Sequence, residues 1–119
     1  MSASRFVSPT LMAALAGVAT GALAHHGWTG YDDDNPLELS GTVISSSYAH
    51  PHGSIELETP RKTWSVVLAP PSRMQRRGLS AEMLAPGVEV TVVGYPHRTE
   101  DSELRAERIM VDGKTIELR

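Results

Sequence analysis

Residues 37 to 48 alternate apolar and polar side chains over an unusually long run, with a glycine in its interior. Leu37, Leu39, Gly41 and Val43 fall on one side of the alternation, and Glu38, Ser40 and Thr42 on the other. That is the period of a strand with one buried face. Strands in globular domains are usually about 5 to 6 residues long. A single strand from Leu37 to about Tyr48, with Gly41 inside it, predicts a bulge or sharp bend, so that the strand takes part in both halves of a small closed barrel. The run ends in Tyr48-Ala49-His50-Pro51-His52-Gly53, a tight turn carrying two of the five histidines.

The rest of the chain reads as further short strands. Ile55 and Leu57 alternate with Glu56 and Glu58, and Thr59-Pro60-Arg61-Lys62 turns into Trp64, Val66 and Leu68, which makes strands two and three a hairpin. Pro70-Pro71 ends the third strand. Ser72 is then placed to cap a short helix through Arg77, with Gly78 suited to stop it. Ser80 to Leu84 reads as a single turn closed by Pro86-Gly87. Val88, Val90 and Val92 form strand four, interrupted at Gly94-Tyr95-Pro96-His97; Glu103 to Val111 form strand five. Asp112-Gly113 is a two-residue hairpin signal leading to a sixth strand over Thr115 to Leu118. This order predicts an all-β fold, a small five- to six-stranded OB-like Greek-key barrel with a short helical connection between strands three and four. A small open sandwich and another six-stranded barrel share the same periodicity.

Residues 1–24 read as a signal peptide. Arg5 supplies a thin positive region, Leu11 to Leu23 an apolar, alanine-rich run, and Ala22-Leu23-Ala24 the small residues before a cut after Ala24. The run is shorter than the roughly 20 residues that span a bilayer, so no stable membrane insertion is expected after cleavage. Residues 25–36 then form an extended N-terminal arm, residues 37–119 the barrel domain, and the protein is expected in the periplasm or secreted. There is no cysteine, which excludes disulfides and thiolate metal sites in a compartment that would permit them. The formal net charge of −3, one unit more negative without Arg5, disfavours nonspecific nucleic-acid binding.

All five histidines, His25, His26, His50, His52 and His97, fall in the arm or in loops. In an OB barrel the loops between strands one and two and between strands four and five flank the ligand face. His50 and His52 lie in the first and His97 in the second, so convergence is expected. An arm of about a dozen residues at roughly 3.3 Å each reaches the same rim. Clustered imidazoles without thiolate suit Cu(II), with zinc or nickel as alternatives. Cleavage after Ala24 would put the new α-amine on His25, allowing its amine and Nδ1 to chelate one metal ion, with His26, His52 or His97 completing the set. Cleavage one residue earlier would give a different chelate, in which His26 is the third residue.

Other clusters carry less. Asp32-Asp33-Asp34 before Asn35-Pro36 reads as a solvated turn, because the alternating ligands, glycine and distant glutamate of a helix-loop-helix calcium site are absent. Arg73, Arg76 and Arg77 form the one basic cluster, read as a solvated helix face, or alternatively as a contact for an envelope protein partner or a small anion. No triad order, nucleophile elbow or phosphate-cradling glycine loop marks an enzyme.

Ala24-His25-His26-Gly27, Leu39-Ser40-Gly41-Thr42-Val43, the Pro51-His52 turn and Leu84-Ala85-Pro86-Gly87 with its Val-rich continuation occur in an order that resembles a family of small exported bacterial proteins classed only as a domain of unknown function. Its members look like AHH(S/G), then LxGTV, an aromatic-x-Asn-Pro-His turn and LxPGDxVTV. The resemblance covers nearly all of the chain after residue 24 and implies export and a small β-barrel, with no activity. It directs attention to His25, His26 and His52, which match its pattern. His50 stands where the family has Asn, and Val88-Glu89 where it has Asp.

Overall fold

The computed structural model describes residues 27–119. Six strands follow one another: β1 (Leu37–Ser47), β2 (Ser54–Glu58), β3 (Thr63–Val67), β4 (Glu89–Pro96), β5 (Glu103–Val111) and β6 (Lys114–Glu117). A six-residue helix, α1 (Pro71–Arg76), and a 3-10 turn (Ala81–Leu84) connect β3 to β4. The sheet order is β3-β2-β1-β4-β5-β6, and a parallel pairing of β3 with β5 closes the first five strands into a barrel, leaving β6 outside on β5. The all-β OB-like barrel with a short helical connection is the fold its periodicity predicts. Among the described residues no helix is long and apolar enough to cross a membrane.

The long first strand does serve both halves. Leu37 to Thr42 pair with β4, and Thr42 to Ser47 pair with β2. The bulge falls at Ile44, between Val43 and Ser45, three residues beyond Gly41. Gly41 answers a different need, because a Cβ there would lie 2.1 Å from the Glu58 carbonyl oxygen. The glycine marks a close approach of two backbones, and the extra residue that bends the strand comes three residues later, at Ile44.

Val43, Ile55, Leu57, Val66, Val92, Leu104 and Ile109 fill the barrel, and Met74, Leu79 and Leu84 from the β3–β4 connection close one end. The helix begins two residues earlier than its sequence suggests, with its cap at Pro70 instead of Ser72. Pro71 occupies its first turn, Pro70 is the N-cap, and no side chain caps it. Proline's missing N–H would be unsatisfied there anyway, which makes Ser72 unnecessary as a cap. Gly78 does terminate it, with φ +92°. The Leu79 N–H donates to Met74 O at 2.8 Å and the Gly78 N–H to Gln75 O at 3.2 Å, the paired bonds that a left-handed glycine permits. Asp112 (φ 54°) and Gly113 (φ 74°) form the β5–β6 turn, as the two-residue hairpin requires.

Strand four departs from its sequence reading. The chain continues as strand through Gly94, Tyr95 and Pro96 instead of breaking there. A register shift absorbs the glycine: Val93 pairs with Arg108 but Gly94 with Ala106, leaving Glu107 as the extra residue on β5. Pro96 is tolerated because the pairing of β4 with β1 ends at Gly94, so no β1 carbonyl waits for its missing N–H.

Candidate functional site

The turn between β1 and β2 is held from both ends. Tyr48 Oη donates to the Leu79 carbonyl at 2.5 Å. The Gly53 N–H donates to Ala69 O, and the Leu68 N–H to Gly53 O, both at 2.8 Å. The His50–Pro51 peptide is cis. His50 is exposed and His52 half-buried. The His52 ring reaches β5, where Arg105 Nη2 lies 3.4 Å from its Nε2. A guanidinium can only donate, so in this long contact Nε2 is the atom that can accept.

Arg105 is the hub of this rim. It is 7% exposed, the one buried charged residue among those described. Its Nη1 donates to the Gly27 carbonyl at 3.0 Å. Its guanidinium lies over the Trp28 ring at 4.5 Å, as does that of Arg119. Tyr95 and Tyr31 meet Trp28 edge-on at 5.9 and 6.4 Å. Glu107 ties the group together, accepting from Tyr95 Oη at 3.0 Å and from Arg119 at 3.3 Å. Burial, with Arg73 and Arg119 adding repulsion, pushes the Arg105 guanidinium below its ordinary range, while Tyr31 opposes that shift. One arginine therefore links the backbone at residue 27, the aromatic cluster that covers it, and His52.

His97 is used differently. It bridges Tyr31 in antiparallel fashion, and its N–H donates to Glu103 O at 2.9 Å. Its Nδ1 accepts the backbone N–H of Thr99 and of Glu100, each at 3.1 Å. That lone pair is spent on the loop turn, so the ring proton sits on Nε2. Among the described residues no three His, Asp or Glu side chains come together as a group that could hold a metal ion. The expected convergence of His50, His52 and His97 is thus not found there: one ring caps its own loop, one is exposed, and one faces Arg105. His25 and His26, with residues 1–24 read from sequence as a signal peptide, lie outside the described residues.

Tyr31 Oη donates to the Glu103 carboxylate, and Tyr31 packs edge-on to His97 at 5.1 Å. Burial, then this hydrogen bond and the Glu103 charge, hold its phenol well above the ordinary tyrosine range. The folded state thus keeps a proton that the unfolded state loses near pH 10, about the ordinary phenol value, and linkage then makes stability fall as pH rises beyond it. Urea midpoints should drop on the alkaline side of that value, and Tyr31→Phe should flatten the drop. An equally steep alkaline fall in the variant would assign the effect to Tyr48 and Tyr95, whose phenols are also raised.

The acidic run behaves as a self-contained turn. Asp32 accepts from Asn35 Nδ2 at 2.6 Å and from the Asp34 N–H at 3.2 Å, and these bonds, Asn35 first, lower its carboxyl pKa. Two of the three clustered arginines serve the fold. Arg73 donates to Leu118 O at 3.0 Å, and Arg77 to Glu117 O at 2.8 Å and Arg119 O at 3.0 Å. They hold the end of β6 to α1, while Arg76 stays exposed. The residues that organise the rim, Trp28 and Arg105, carry no motif. The one sequence signal for Arg105 is a cation between Leu104 and Ala106 in a strand otherwise rich in core residues.

A model of a family of unknown function (DUF6152) matches residues 13–105. No curated protein matches. Among solved structures, a chain in the crystal structure of a complex of TiaS with an isoleucine transfer RNA and ATP is similar, with TM-score 0.51 and 20% identity, over 71% of this chain and 19% of that one. At that identity the likeness is one of fold alone, and this chain spans about a fifth of the length of that one.

Proposed function

Because the chain belongs to the family of unknown function DUF6152, which supplies no activity, we propose that it is an exported barrel that binds a divalent metal ion through His25, His26 and His52. Copper(II) is the preferred ion, with zinc and nickel as alternatives. The protein acts in the periplasm or outside the cell after cleavage behind Ala24, with residues 25–36 as an arm on the barrel of residues 37–119. One observation carries the reading: the same Arg105 guanidinium bonds the carbonyl of Gly27, the residue after His25-His26, and contacts His52. In sequence His26 directly precedes that fixed carbonyl and His25 stands one residue before it.

A metal at His52 takes the lone pair that now faces Arg105. The guanidinium must then turn away from Nε2, since it only donates and repels a cation, while its bond to the Gly27 carbonyl is made by the other terminal nitrogen, Nη1. His50, in the same turn, is near enough in sequence to assist. His97 is committed to its own loop and stands outside the set.

The test is calorimetric titration of correctly processed protein with Cu(II). Near-stoichiometric binding is expected, weakened about tenfold or more, or about 1.4 kcal/mol, by His52→Ala and by one residue added before His25. Binding unchanged by both modifications would remove the proposal.

A further inference from the structure

On the side of the rim formed by the β4–β5 loop lies a cleft of about 520 Å³ lined by Gly30, Tyr31, His97, Arg98, Thr99 and Glu103. Its volume falls within the range of about 300–1,000 Å³ typical of small-molecule sites. None of the residues proposed for the metal lines it. Three features give it a definite chemistry.

The first is a donor of fixed direction. Because His97 Nδ1 accepts two backbone N–H groups, Nε2 carries the proton. That edge of the ring faces Gly30, where an added Cβ would lie 3.5 Å from Nε2. The second is a cation. Arg98 is anchored by its backbone N–H to Gly30 O at 2.9 Å and by Nε to Thr29 O at 3.2 Å. Anchoring through Nε holds the planar guanidinium, whose terminal nitrogens carry four more N–H donors. The third is an anion. Glu103 accepts from Tyr31 Oη on one oxygen, Oε2, and an ionised carboxylate has lone pairs for further donors. Tyr31 lines the cleft beside these groups, its ring packed edge-on to that of His97.

We propose that this cleft binds a small zwitterion, a free α-amino acid, with its carboxylate at Arg98 and His97 Nε2 and its ammonium at Glu103. A ligand with only a carboxylate would meet the repulsion of Glu103, and one with only an ammonium that of Arg98. A zwitterion satisfies both, and the absence of a side chain at Gly30 leaves room beside the imidazole donor.

The experiment is calorimetry of the full processed protein with L-alanine, L-leucine and L-phenylalanine in turn, and with acetate and ethylammonium as single-charge probes. At least one amino acid should bind saturably at millimolar concentration and neither single-charge probe should. Arg98→Gln and Glu103→Gln should each weaken binding about tenfold or more; the second keeps an acceptor for Tyr31. Gly30→Ala changes no charge and should weaken binding by crowding Nε2. No saturable binding of any of the three, equal binding of acetate, or affinity unmoved by both charge variants would overturn the proposal. Copper titration of the same variants is independent of it, so either site can fail alone.

Discussion

Replacing Gly94 by alanine is expected to destabilise the barrel by about 3 kcal/mol or more, the upper range for overpacking. A Cβ at residue 94 would lie 2.1 Å from the Arg105 carbonyl oxygen and 2.7 Å from the Ala106 Cα. Both are backbone atoms, so no rotamer change relieves the overlap. Gly94 is also paired on both sides, with Leu37 of β1 and Ala106 of β5, so moving it disturbs two ladders where the bulge at Glu107 turns the sheet. Small domains have a margin of about 5–15 kcal/mol, so the variant should remain folded in the cold with a much lower urea midpoint and an unchanged slope. Gly30→Ala is the matched control, since its nearest contact is an ordinary 3.5 Å, and its stability should lie within about 0.5 kcal/mol of the parent. A Gly94→Ala midpoint equal to that of the control would mean that β4 and β5 do not cross so closely.

Arg105→Met should release residues 27–29 from the barrel, while Gly30, Tyr31 and Asp32 keep their own bonds to Arg98, Glu103 and Pro96. The substitution keeps an apolar stem but removes the donor to Gly27 O and the contact with His52, and it leaves Trp28 with one guanidinium in place of two. Hydrogen bonds from charged groups contribute about 1.5–3 kcal/mol each. Against that stands the relief of a buried cation placed near Arg73 and Arg119. The net loss of global stability should therefore be about 2 kcal/mol, with the larger effect local. Trp28 emission should shift to the red, and proteases should cut within 27–29 while the β-sheet circular dichroism persists. Arg105→Lys should behave nearly as badly, because an ammonium lacks the fork that serves two acceptors at once. An Arg105→Met protein with unshifted Trp28 emission and a protected segment would show that the aromatic contacts suffice to hold it.

Much of the fold is legible in the chain because its causes are local. The alternation of Ile55 and Leu57 against glutamates, the Asp112-Gly113 pair and Gly78 after a short helix each act within a few residues, and each marks an element that forms where expected. Differences arise where a neighbouring strand sets the outcome. Gly94-Tyr95-Pro96 reads as a break, yet β5 absorbs the irregularity through its extra Glu107. Gly41 reads as a bulge, yet its small size answers the Glu58 carbonyl of another strand.

The rim divides along the same line. Composition and period-2 patterning are properties of the chain alone, and they suffice to exclude thiol chemistry, to place His50 and His52 in a turn, and to show that one long strand serves both halves of a small barrel. Closure of the barrel was needed before His97 could be seen to spend Nδ1 on its own loop, Arg73 and Arg77 to hold the end of β6, and Arg105 to join Gly27 to His52. Those outcomes depend on which donor meets which lone pair across β-strand pairings with no local period, and no stretch of sequence encodes them by itself.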